Sequence, residues 1–417
     1  MLLLLTKFES KVMRKIIVYV LLVLAMDVEA QNREFAQRTI DTLASKEFAG
    51  RGYVYNGDKK AALYIMKHFK EIGLKSFKKW DYLYPFAFPV NTFDGNCEVI
   101  IDGNKLVPGK DYIVDPGCPT INRKMKLKPV SDHKNYPDRN RVTAVVYDTS
   151  YKMDKLEAPL SELYPLKVFL QKKLTWSVST STDTKASIHI LKTSMPTDPK
   201  EIRVKVRSKL RIHKASNVIG YIEGTEIKDT FIVLTAHYDH LGMMGKKTMF
   251  PGANDNASGV AMMMDLADYF SKHPCKYSIA CIAFAAEEAG LIGSKHYTDT
   301  PWKEFPLSQM KFLVNMDLMG SGEKGMAVVN ATLFPSYFDK LKEANTAQNY
   351  LVGFKSRGKA ANSDHYWFTE RGVKGFFFYL MGAYDHYHDI EDNPKNLRLG
   401  EYYDRSFLLI RDFILLI

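Results

Sequence analysis

Cysteine is scarce in this chain, which has 4 cysteines among 417 residues. At most two disulfides can form, a number that fits an exported protein. Cys275 and Cys281 lie on one predicted strand, up to ~20 Å apart and beyond the reach of a disulfide. Cys97 and Cys118 could pair with each other, or all the thiols could be free and mostly buried. Neither arrangement indicates a cysteine nucleophile.

Long uncharged apolar segments are also rare. The run at 16–25 has about ten residues, whereas a membrane-spanning helix needs ~20. It follows Met13-Arg14-Lys15 and precedes Val28-Glu29-Ala30, a small-x-small pattern typical of a signal-peptidase site. We therefore predict a signal peptide at 1–30, complete from Met13, with no stable membrane insertion after its cleavage. The predicted location of the protein is periplasmic, at the cell surface or extracellular.

Motifs for binding nucleic acid are absent, although the formal net charge is +11 and the sequence pI is 9.1. The lysines are spread through the chain, so we predict no nucleic-acid partner. Internal repeats and low-complexity tracts are missing as well. The composition is that of an ordinary globular protein, 46% hydrophobic and 25% charged, on a chain too long for one minimal domain.

The first part of the chain after the signal peptide predicts two helices, at 33–45 and 59–73. In the second helix Ile65 and Phe69 recur at helical spacing, and Gly73 is the expected stop. We assign 31–84 to the N-terminal helices of the main domain. Short β-like runs separated by Pro, Gly, Asp and Asn then predict an inserted β-rich accessory domain at 85–212. Its clearest strands are predicted at 98–101, 141–147 and 186–191.

From Ser216 onward, predicted strands alternate with helices. This alternation indicates an α/β fold, a three-layer αβα sandwich with a mixed central sheet, interrupted by the β-rich insert and completed by residues 213–417. The three methionines at 262–264 are interpreted as core residues, not as metal ligands. Strands are predicted at 217–222, 231–235, 277–286, 312–315 and 375–380, and a helix is predicted at 257–270.

Side chains that can bind metals follow several of these strands. Glu287 and Glu288 form an adjacent acidic pair at the end of an apolar strand, where two carboxylates are costly unless a cation or a catalytic task holds them. In such sheets, ligands gather beyond the carboxyl ends of the strands. The other clusters of this kind contain His237 with Asp239, Asp255 at the start of a helix, Asp317, and His386 with His388.

Each cluster also has an ordinary structural explanation when it is taken alone. Asp255 could cap the following helix, Asp317 could end a strand, and His237 with Asp239 could be a surface pair. The coincidence of five clusters at one edge of one predicted sheet favours a metal site. Ser258 lies close to Asp255, but no nucleophile-elbow sequence surrounds it, so a serine hydrolase is not predicted.

The chemistry of these side chains suits two divalent ions. Zinc binds imidazole nitrogen and carboxylate oxygen, and paired zinc ions in hydrolases lie ~3.5–4 Å apart, a distance that one carboxylate can bridge. We predict Asp255 as the bridge. His237 and Asp317 would bind one ion, and Glu288 and His388 the other.

The adjacent glutamates are predicted to have different roles. Neighbouring side chains on extended backbone point to opposite faces, so Glu287 and Glu288 should not bind the same ion. A water bridging two metal ions has its pKa lowered to ~7, and a carboxylate nearby can take its proton and deliver it to a leaving amine. Glu287 is the candidate general base.

At this point the chain resembles a known family. The ordered motifs are His237-x-Asp239, 252–259 (GANDNASG), 286–294 (AEEAGLIGS), Asn315-x-Asp317 and Tyr387-His388-x-x-x-Asp392. They are similar to those of the secreted di-zinc aminopeptidases, a family that also holds glutamate carboxypeptidases and, as relatives, the glutaminyl cyclases. The resemblance is loose over 51–73 and good over 216–393.

The resemblance implies a set of site residues. It matches Glu287 to the general base and Asp239 to a partner that orients His237, and it places Asp364 of the Ser363-Asp364-His365 segment near the pocket. The spacing to Asp392 favours His388 over His386, while His240, His296 and His365 are not assigned as ligands. The implied metal ligands are His237, Asp255, Glu288, Asp317 and His388, around two Zn²⁺ ions.

Three departures from the family pattern affect the pocket and the insert. Asn254 stands where the family usually has an acid, although Asp255 is intact. Trp367 and the run Val373-Lys374-Gly375 differ from the usual small or polar residue and the Gly-Ile-Pro pattern. The insert lies where relatives carry a protease-associated domain, but it lacks the glycine-rich hallmarks of that domain.

The function implied is that of a secreted metal-dependent exopeptidase. An aminopeptidase that hydrolyses N-terminal peptide bonds with a water between two zinc ions is predicted, with peptides as substrates. Three alternatives stay open at this point: a glutaminyl cyclase with a single zinc, a carboxypeptidase of the same family, and a non-catalytic binding ectodomain.

Overall fold

The computed structural model describes residues 32–79, 81–129, 143–148 and 164–417. The predicted signal peptide at 1–30 lies outside these ranges. Within them, none of the helices combines the length and the apolar character that a bilayer crossing requires.

The described strands are numbered in chain order. They are β1 (Leu83–Thr92), β2 (Cys97–Ile101), β3 (Asn104–Lys105), β4 (Tyr112–Val114), β5 (Ile121–Pro129), β6 (Thr143–Asp148), β7 (Leu166–Gln171), β8 (Ala186–Leu191), β9 (Glu201–Val206), β10 (Lys209–Ile222), β11 (Ile227–His237), β12 (Gly242–Met244), β13 (Thr248–Phe250), β14 (Tyr277–Phe284), β15 (Met310–Met316), β16 (Met326–Val329), β17 (Phe354–Ser356) and β18 (Gly375–Leu380).

The described α-helices are numbered in the same way. They are α1 (Arg33–Leu43), α2 (Gly57–Glu71), α3 (Gly259–Lys272), α4 (Ile292–Asp299), α5 (Pro335–Gln348), α6 (His365–Glu370) and α7 (Glu401–Leu416). The helix predicted at 257–270 therefore begins two residues later, because 253–258 forms a separate irregular turn.

A mixed sheet of eight strands forms the centre of the main domain, in the order β1-β10-β14-β11-β15-β18-β16-β17. Neighbours β14, β11, β15 and β18 run parallel, and β10 and β16 flank them in the antiparallel direction. The parallel strands are almost wholly buried, as expected when helices cover both faces. Their carboxyl ends therefore meet at one edge, and the predicted mixed central sheet is confirmed.

The two faces of this sheet pack against different helices. Along β11, Ile232 and Leu234 face one core, and Phe231 and Val233 face the other, because successive side chains of a strand alternate. The predicted three-layer sandwich is thus confirmed. Helix residues in the first core include Ile40, Ile65, Val260, Leu341 and Phe407, and those in the second include Tyr297 and Phe368.

A second sheet of eight strands lies in the region predicted as the insert, in the order β3-β2-β9-β5-β6-β7-β8-β4. It has a core of its own, which also takes in Leu241, Met244 and Phe250 from the β12–β13 hairpin of the main domain. Its strands lie within 97–206, a narrower range than the predicted 85–212. The difference arises because β1 pairs residue by residue with β10, from Leu83 opposite Val218 to Thr92 opposite Lys209, and so belongs to the main sheet.

Each of the four cysteines is a free thiol in the structure. Cys118 and Cys281 are buried, and Cys97 and Cys275 are half-buried. Burial raises the pKa of Cys118 to about 12, so the thiolate is disfavoured there. This arrangement corresponds to the free-thiol alternative.

Candidate metal centre

Three parallel strands deliver acidic and histidine side chains to one edge of the main sheet. His237 is the last residue of β11, and it stands opposite Phe284, the last residue of β14. Asp317 directly follows β15, and Glu287 and Glu288 follow Phe284 in a tight turn. These four site residues, His237, Glu287, Glu288 and Asp317, therefore meet because parallel neighbours end at the same edge.

The turn after β14 differs from the extended backbone that the sequence analysis assumes for Glu287 and Glu288. Ala286 has a φ of 58°, and both glutamates lie in a turn. The carboxylate of Asp239 fixes this turn, since it accepts hydrogen bonds from the main-chain N–H groups of Glu287 at 3.1 Å and Glu288 at 3.2 Å. The different directions of the two side chains thus come from the turn and not from strand pleating.

Asp239 is also tied to the N-terminal part of the chain. The hydroxyl of Tyr53 donates a hydrogen bond to Asp239 Oδ2 at 2.6 Å. Nδ1 of His237 lies 3.2 Å from the main-chain carbonyl of Asp239 and 3.8 Å from its carboxylate. The orienting contact that the family resemblance implies for His237 is therefore made chiefly by the backbone of Asp239, while its carboxylate holds the glutamate turn.

Asp255 sits in an irregular loop between the β12–β13 hairpin and α3. The carboxylate of Asp392 accepts hydrogen bonds from the main-chain N–H groups of Asn254 at 2.7 Å and of Asp255 at 3.0 Å. Gly252 has a φ of 64° and packs against the ring of His240, where a Cβ would lie 2.5 Å from ring atoms. The loop sequence is thus constrained at its backbone as well as at Asp255.

Arg51 is a fully buried arginine beneath this loop. Its guanidinium donates to five main-chain carbonyls, those of Tyr238 at 2.8 Å, Leu43 at 3.0 Å, Pro251 at 2.8 Å, Gly252 at 2.7 Å and Asp255 at 3.1 Å. Burial lowers the pKa of Arg51 to about 10, and Asp392 and Asp255 oppose the shift, so the group is a cation at neutral pH. No local motif in the sequence predicts this role of Arg51.

The two oxygens of the Asp255 carboxylate face different histidines. Nε2 of His237 lies 3.4 Å from Oδ1 of Asp255, and Nε2 of His388 lies 3.1 Å from Oδ2. His237 Nε2 is also 3.3 Å from Asp317 Oδ2, and His388 Nε2 is 3.2 Å from Glu288 Oε2. The structure thus brings together all five residues that the sequence analysis predicts as metal ligands.

The electrostatics of the cluster call for additional positive charge. Burial raises the pKa of Glu287 well above its ordinary value, and the neighbouring Glu288, Asp364 and Asp317 raise it further. Burial also raises the pKa of Asp364 to about 7, with Asp239 and Asp317 acting in the same direction. Burial disfavours a charged His388, yet Glu288 and Asp255 raise its pKa to about 11. The acids that raise the pKa of His388 are the ones that a bound cation would stabilise.

The donor set suits zinc. Three side chains, His237, Asp255 and Glu288, offer atoms within 4.8 Å of one another, and so do His237, Glu287 and Asp317. Imidazole nitrogen and carboxylate oxygen in a buried site are the ligands that zinc takes in catalytic centres. Oδ1 of Asp317 is buried without a hydrogen-bond partner in the described structure, so it is free to bind an ion.

His240 also belongs to the centre, although it is not one of the predicted ligands. Its Nδ1 donates to Oε1 of Glu288 at 2.7 Å, and the side chain is fully buried. The contact leaves Oε2 of Glu288 directed to His388. The sequence gives an indication of this role, because His240 directly follows the His237-Tyr238-Asp239 cluster.

The structure also separates the two candidate histidines near the C terminus. His388 is buried in the cluster, whereas the side chain of His386 is 38% exposed and its Nδ1 lies 3.4 Å from Asp389. Nδ1 of His388 donates to the main-chain carbonyl of Trp176 at 2.8 Å. Trp176 lies in the segment between β7 and β8 of the second sheet, and no motif in the sequence marks it as part of the site.

Polar contacts connect Asp317 to the strand behind it. The hydroxyl of Thr235 donates to Asn315 Oδ1 at 2.7 Å, and Asn315 Nδ2 donates to the hydroxyl of Ser363 at 2.8 Å. Ser363 in turn donates to Asp317 Oδ2 at 3.4 Å. Asp364, the predicted pocket residue, is fully buried beside this chain of hydrogen bonds.

Two residues near Asp255 have structural contacts that explain their identity. Oδ1 of Asn254 accepts a hydrogen bond from the main-chain N–H of Gly320 at 2.9 Å. An amide oxygen is sufficient for this contact, so the position does not need a carboxylate. The hydroxyl of Ser258 donates to the carbonyl of Asn254 at 2.7 Å and accepts from the N–H of Met319 at 2.7 Å. Ser258 is therefore held as a structural hydroxyl.

Comparison with known proteins extends this picture. Residues 217–411 match the family model of peptidase family M28. Over 181 residues the chain is 32% identical to aminopeptidase YwaD of Bacillus subtilis, covering 42% of this chain and 38% of that protein. It is 24% identical over 189 residues to a vacuolar membrane protease of Candida glabrata, covering 45% of this chain and 19% of that protein. The chain thus spans less than half the length of these curated relatives.

Solved structures resemble the whole described fold. BSAP, a zinc aminopeptidase from Bacillus subtilis, has a TM-score of 0.71 at 21% identity, covering 92% of this chain and 94% of that chain. A glutaminyl cyclase of Bacteroides thetaiotaomicron has a TM-score of 0.51 at 12% identity, covering 93% and 98%. At these identities the likeness shows the fold alone. The match to the model of peptidase family M28, by contrast, covers residues 217–411, which include all five predicted ligands.

Proposed function

We propose that this protein is a secreted aminopeptidase that uses two zinc ions. The observation that carries the proposal is the position of Asp255, whose two carboxylate oxygens face His237 and His388 separately. A carboxylate placed in this way suits the bridge between two ions in hydrolases of this class. His237 and Asp317 would hold one ion, and Glu288 and His388 the other.

The reaction proposed is hydrolysis of an N-terminal peptide bond. Zinc, when bound, polarises the scissile carbonyl and makes a water molecule acidic enough to serve as a nucleophile near neutral pH. Glu287 offers a carboxylate oxygen within 4.8 Å of ligand atoms of His237 and Asp317. From this position it would take a proton from the attacking water and deliver it to the nitrogen of the leaving amine.

Zinc content and hydrolysis of aminoacyl reporter substrates test the proposal together. The protein should contain close to two zinc ions per chain and should release the reporter, and a chelator should abolish the release. Analysis of peptide products by mass should show loss of residues from the amino end. Trimming from the carboxyl end would favour the carboxypeptidase alternative, and absence of zinc binding would contradict the proposal.

Glutaminyl cyclization is the second candidate, because a solved glutaminyl cyclase shares the fold. Peptides that begin with glutamine distinguish the two reactions. A cyclase releases ammonia and leaves the peptide length unchanged, whereas an aminopeptidase releases free glutamine. Ammonia release without shortening would overturn the aminopeptidase assignment.

Export is part of the proposal and rests on the pattern at 13–30. Expression of the full chain followed by N-terminal sequencing of the exported protein tests it. The mature protein should begin at Gln31. An exported product that keeps residues 13–30, or retention of the whole chain inside the cell, would contradict the predicted cleavage.

A further inference from the structure

A segment between two strands of the second sheet contacts the part of the chain that carries His388. Residues 172–183, between β7 and β8, leave the sheet and run beside the chain that carries His388. The main-chain N–H of Trp176 donates to the carbonyl of His388 at 3.0 Å, and Nδ1 of His388 donates to the carbonyl of Trp176 at 2.8 Å. Lys173 adds a third contact, since its ammonium donates to the carbonyl of Asp385 at 2.6 Å.

Trp176 itself is anchored on three sides. Its indole Nε1 donates to the carbonyl of Val114, at the end of β4, at 2.8 Å. Its ring packs against Phe250, the last residue of the β12–β13 hairpin, with ring centroids 4.6 Å apart, and against Phe93 at 6.0 Å. The side chain is 3% exposed and belongs to the core of the second sheet. The carbonyl that meets His388 is therefore fixed by a buried aromatic anchor.

A histidine that binds metal through Nε2 usually donates its Nδ1–H to a fixed acceptor, which sets the tautomer and the ring orientation. His388 has a φ of 57°, so its backbone lies in a region that non-glycine residues rarely adopt. The reciprocal hydrogen bonds with Trp176 hold that backbone and the ring at the same time.

We propose that Trp176 is a positioning residue for the metal centre, and that the second sheet thereby directs Nε2 of His388 to the metal. The second sheet then helps to form the metal centre and is not only an appended domain. This inference rests on the proposed zinc site. Through this contact the insert sets the geometry of His388, one of the five predicted ligands.

Alanine substitution at two buried tryptophans tests the inference in the full-length protein. Trp302 is the matched control: it is 6% exposed and packs against Tyr84 in the core on the other face of the main sheet. W176A keeps the carbonyl but removes its anchor, so it should weaken the binding of one zinc ion by up to ~10–100-fold, the range for loss of an orienting contact, whereas W302A should leave zinc affinity unchanged. Competition with a chromophoric chelator measures the zinc affinity of each variant.

A spectroscopic readout and a double mutant separate positioning from general loss of stability. With Co²⁺ in place of zinc, the visible absorption of W176A should differ from that of the wild type, and that of W302A should not. In the H388A background, W176A should cause no further loss of affinity, because its effect passes through His388. If W176A does not fold, W176F can replace it, because phenylalanine keeps an aromatic ring but loses the hydrogen bond to Val114. W176F should show a smaller loss of zinc affinity, and W302F should show none.

Equal zinc affinities of W176A and W302A would overturn the inference. A further loss of affinity when W176A is added to H388A would also overturn it. These outcomes leave the proposed function intact as long as the wild type binds zinc and hydrolyses peptides. A wild-type protein that binds no zinc would overturn the proposed function and this inference together.

Discussion

Arg51 and Asp255 meet through the backbone: Nη2 of Arg51 donates to the main-chain carbonyl of Asp255 at 3.1 Å, and in the described structure the five hydrogen bonds of the guanidinium all go to main-chain carbonyls. The arginine thus supports the loop from below and leaves both carboxylate oxygens of Asp255 directed to the histidines. Its charge lies close to four acids of the centre, whose repulsion it reduces.

We expect R51M to destabilise the protein by roughly 3–5 kcal/mol, because five buried carbonyls lose their donor. R51K should recover part of this loss, since an ammonium has three donors and cannot reach all five carbonyls. Urea unfolding of the proteins after zinc removal with a chelator measures the loss of unfolding free energy. R38K is the control, because Arg38 is 63% exposed and pairs with Glu34 on the surface of α1. Unfolding of R51M at the wild-type urea concentration would contradict the role.

E287Q should abolish peptide hydrolysis while zinc content stays close to that of the wild type. The amide is close in size to the carboxylate but cannot accept the proton from the attacking water. E288Q is the informative comparison, because Glu288 contacts His388 and should be needed to retain zinc. Metal analysis and reporter hydrolysis on the same samples distinguish the two roles. Activity of E287Q comparable to that of the wild type would rule out Glu287 as the base.

H240A should lower zinc affinity by ~10–100-fold, because the Nδ1 bond to Glu288 Oε1 orients that ligand from behind and alanine has no donor. H296A serves as the control. His296 packs against Tyr84 and Phe86 on the opposite side of the sheet and touches none of the proposed ligands in the described structure. Equal zinc affinities of the two variants would show that the contact of His240 with Glu288 is incidental.

The ligand set can be predicted from the sequence alone, because parallel strands bring their carboxyl ends to one edge of the sheet regardless of the loops that follow them. His237, Glu288 and Asp317 follow from that rule and from buried apolar strands that are easy to recognise. The supporting residues do not follow from it. Arg51 meets Asp255 across 204 positions, and Trp176 meets His388 across 212, so no local pattern links them.

The same limit explains the boundary of the insert. The side chains of β1 alternate between buried and exposed positions, but this alternation does not determine which sheet the strand joins. Only its pairing with β10, more than a hundred residues later, places Leu83–Thr92 in the main sheet. The roles of Glu287 and Glu288 were predicted from strand pleating, whereas a turn held by Asp239 separates them. Such long-range contacts lie beyond a reading of local periodicity.

Asp265 on α3 should make stability depend on pH. Burial raises its pKa to about 6, although the N–H of Asn32 and the hydroxyl of Tyr403 donate to it. The folded pKa of Asp265 exceeds that of an aspartate in the unfolded chain, ~3.9. The contribution of protonated Asp265 to the free energy of unfolding is therefore present below pH ~4 and is lost as pH rises through ~6, by up to about 3 kcal/mol. The stability of D265N relative to the wild type should therefore increase between pH 4.5 and 7.5 in urea unfolding of the chelated proteins. Parallel pH profiles would contradict this prediction.

Removal of zinc should lower the melting temperature, and D255N should lose most of this response. A ligand that binds the folded state alone stabilises it by ~2.7 kcal/mol when its free concentration is a hundred times Kd. For a chain of this size that corresponds to a shift of a few degrees, about 2–4 °C. Asp255 lies between His237 and His388, so its amide analogue should weaken both sites together. Calorimetry with and without chelator measures the shift. If D255N responded to zinc as the wild type does, Asp255 could not be the bridge, and the ions would have to be held by the other residues of the cluster.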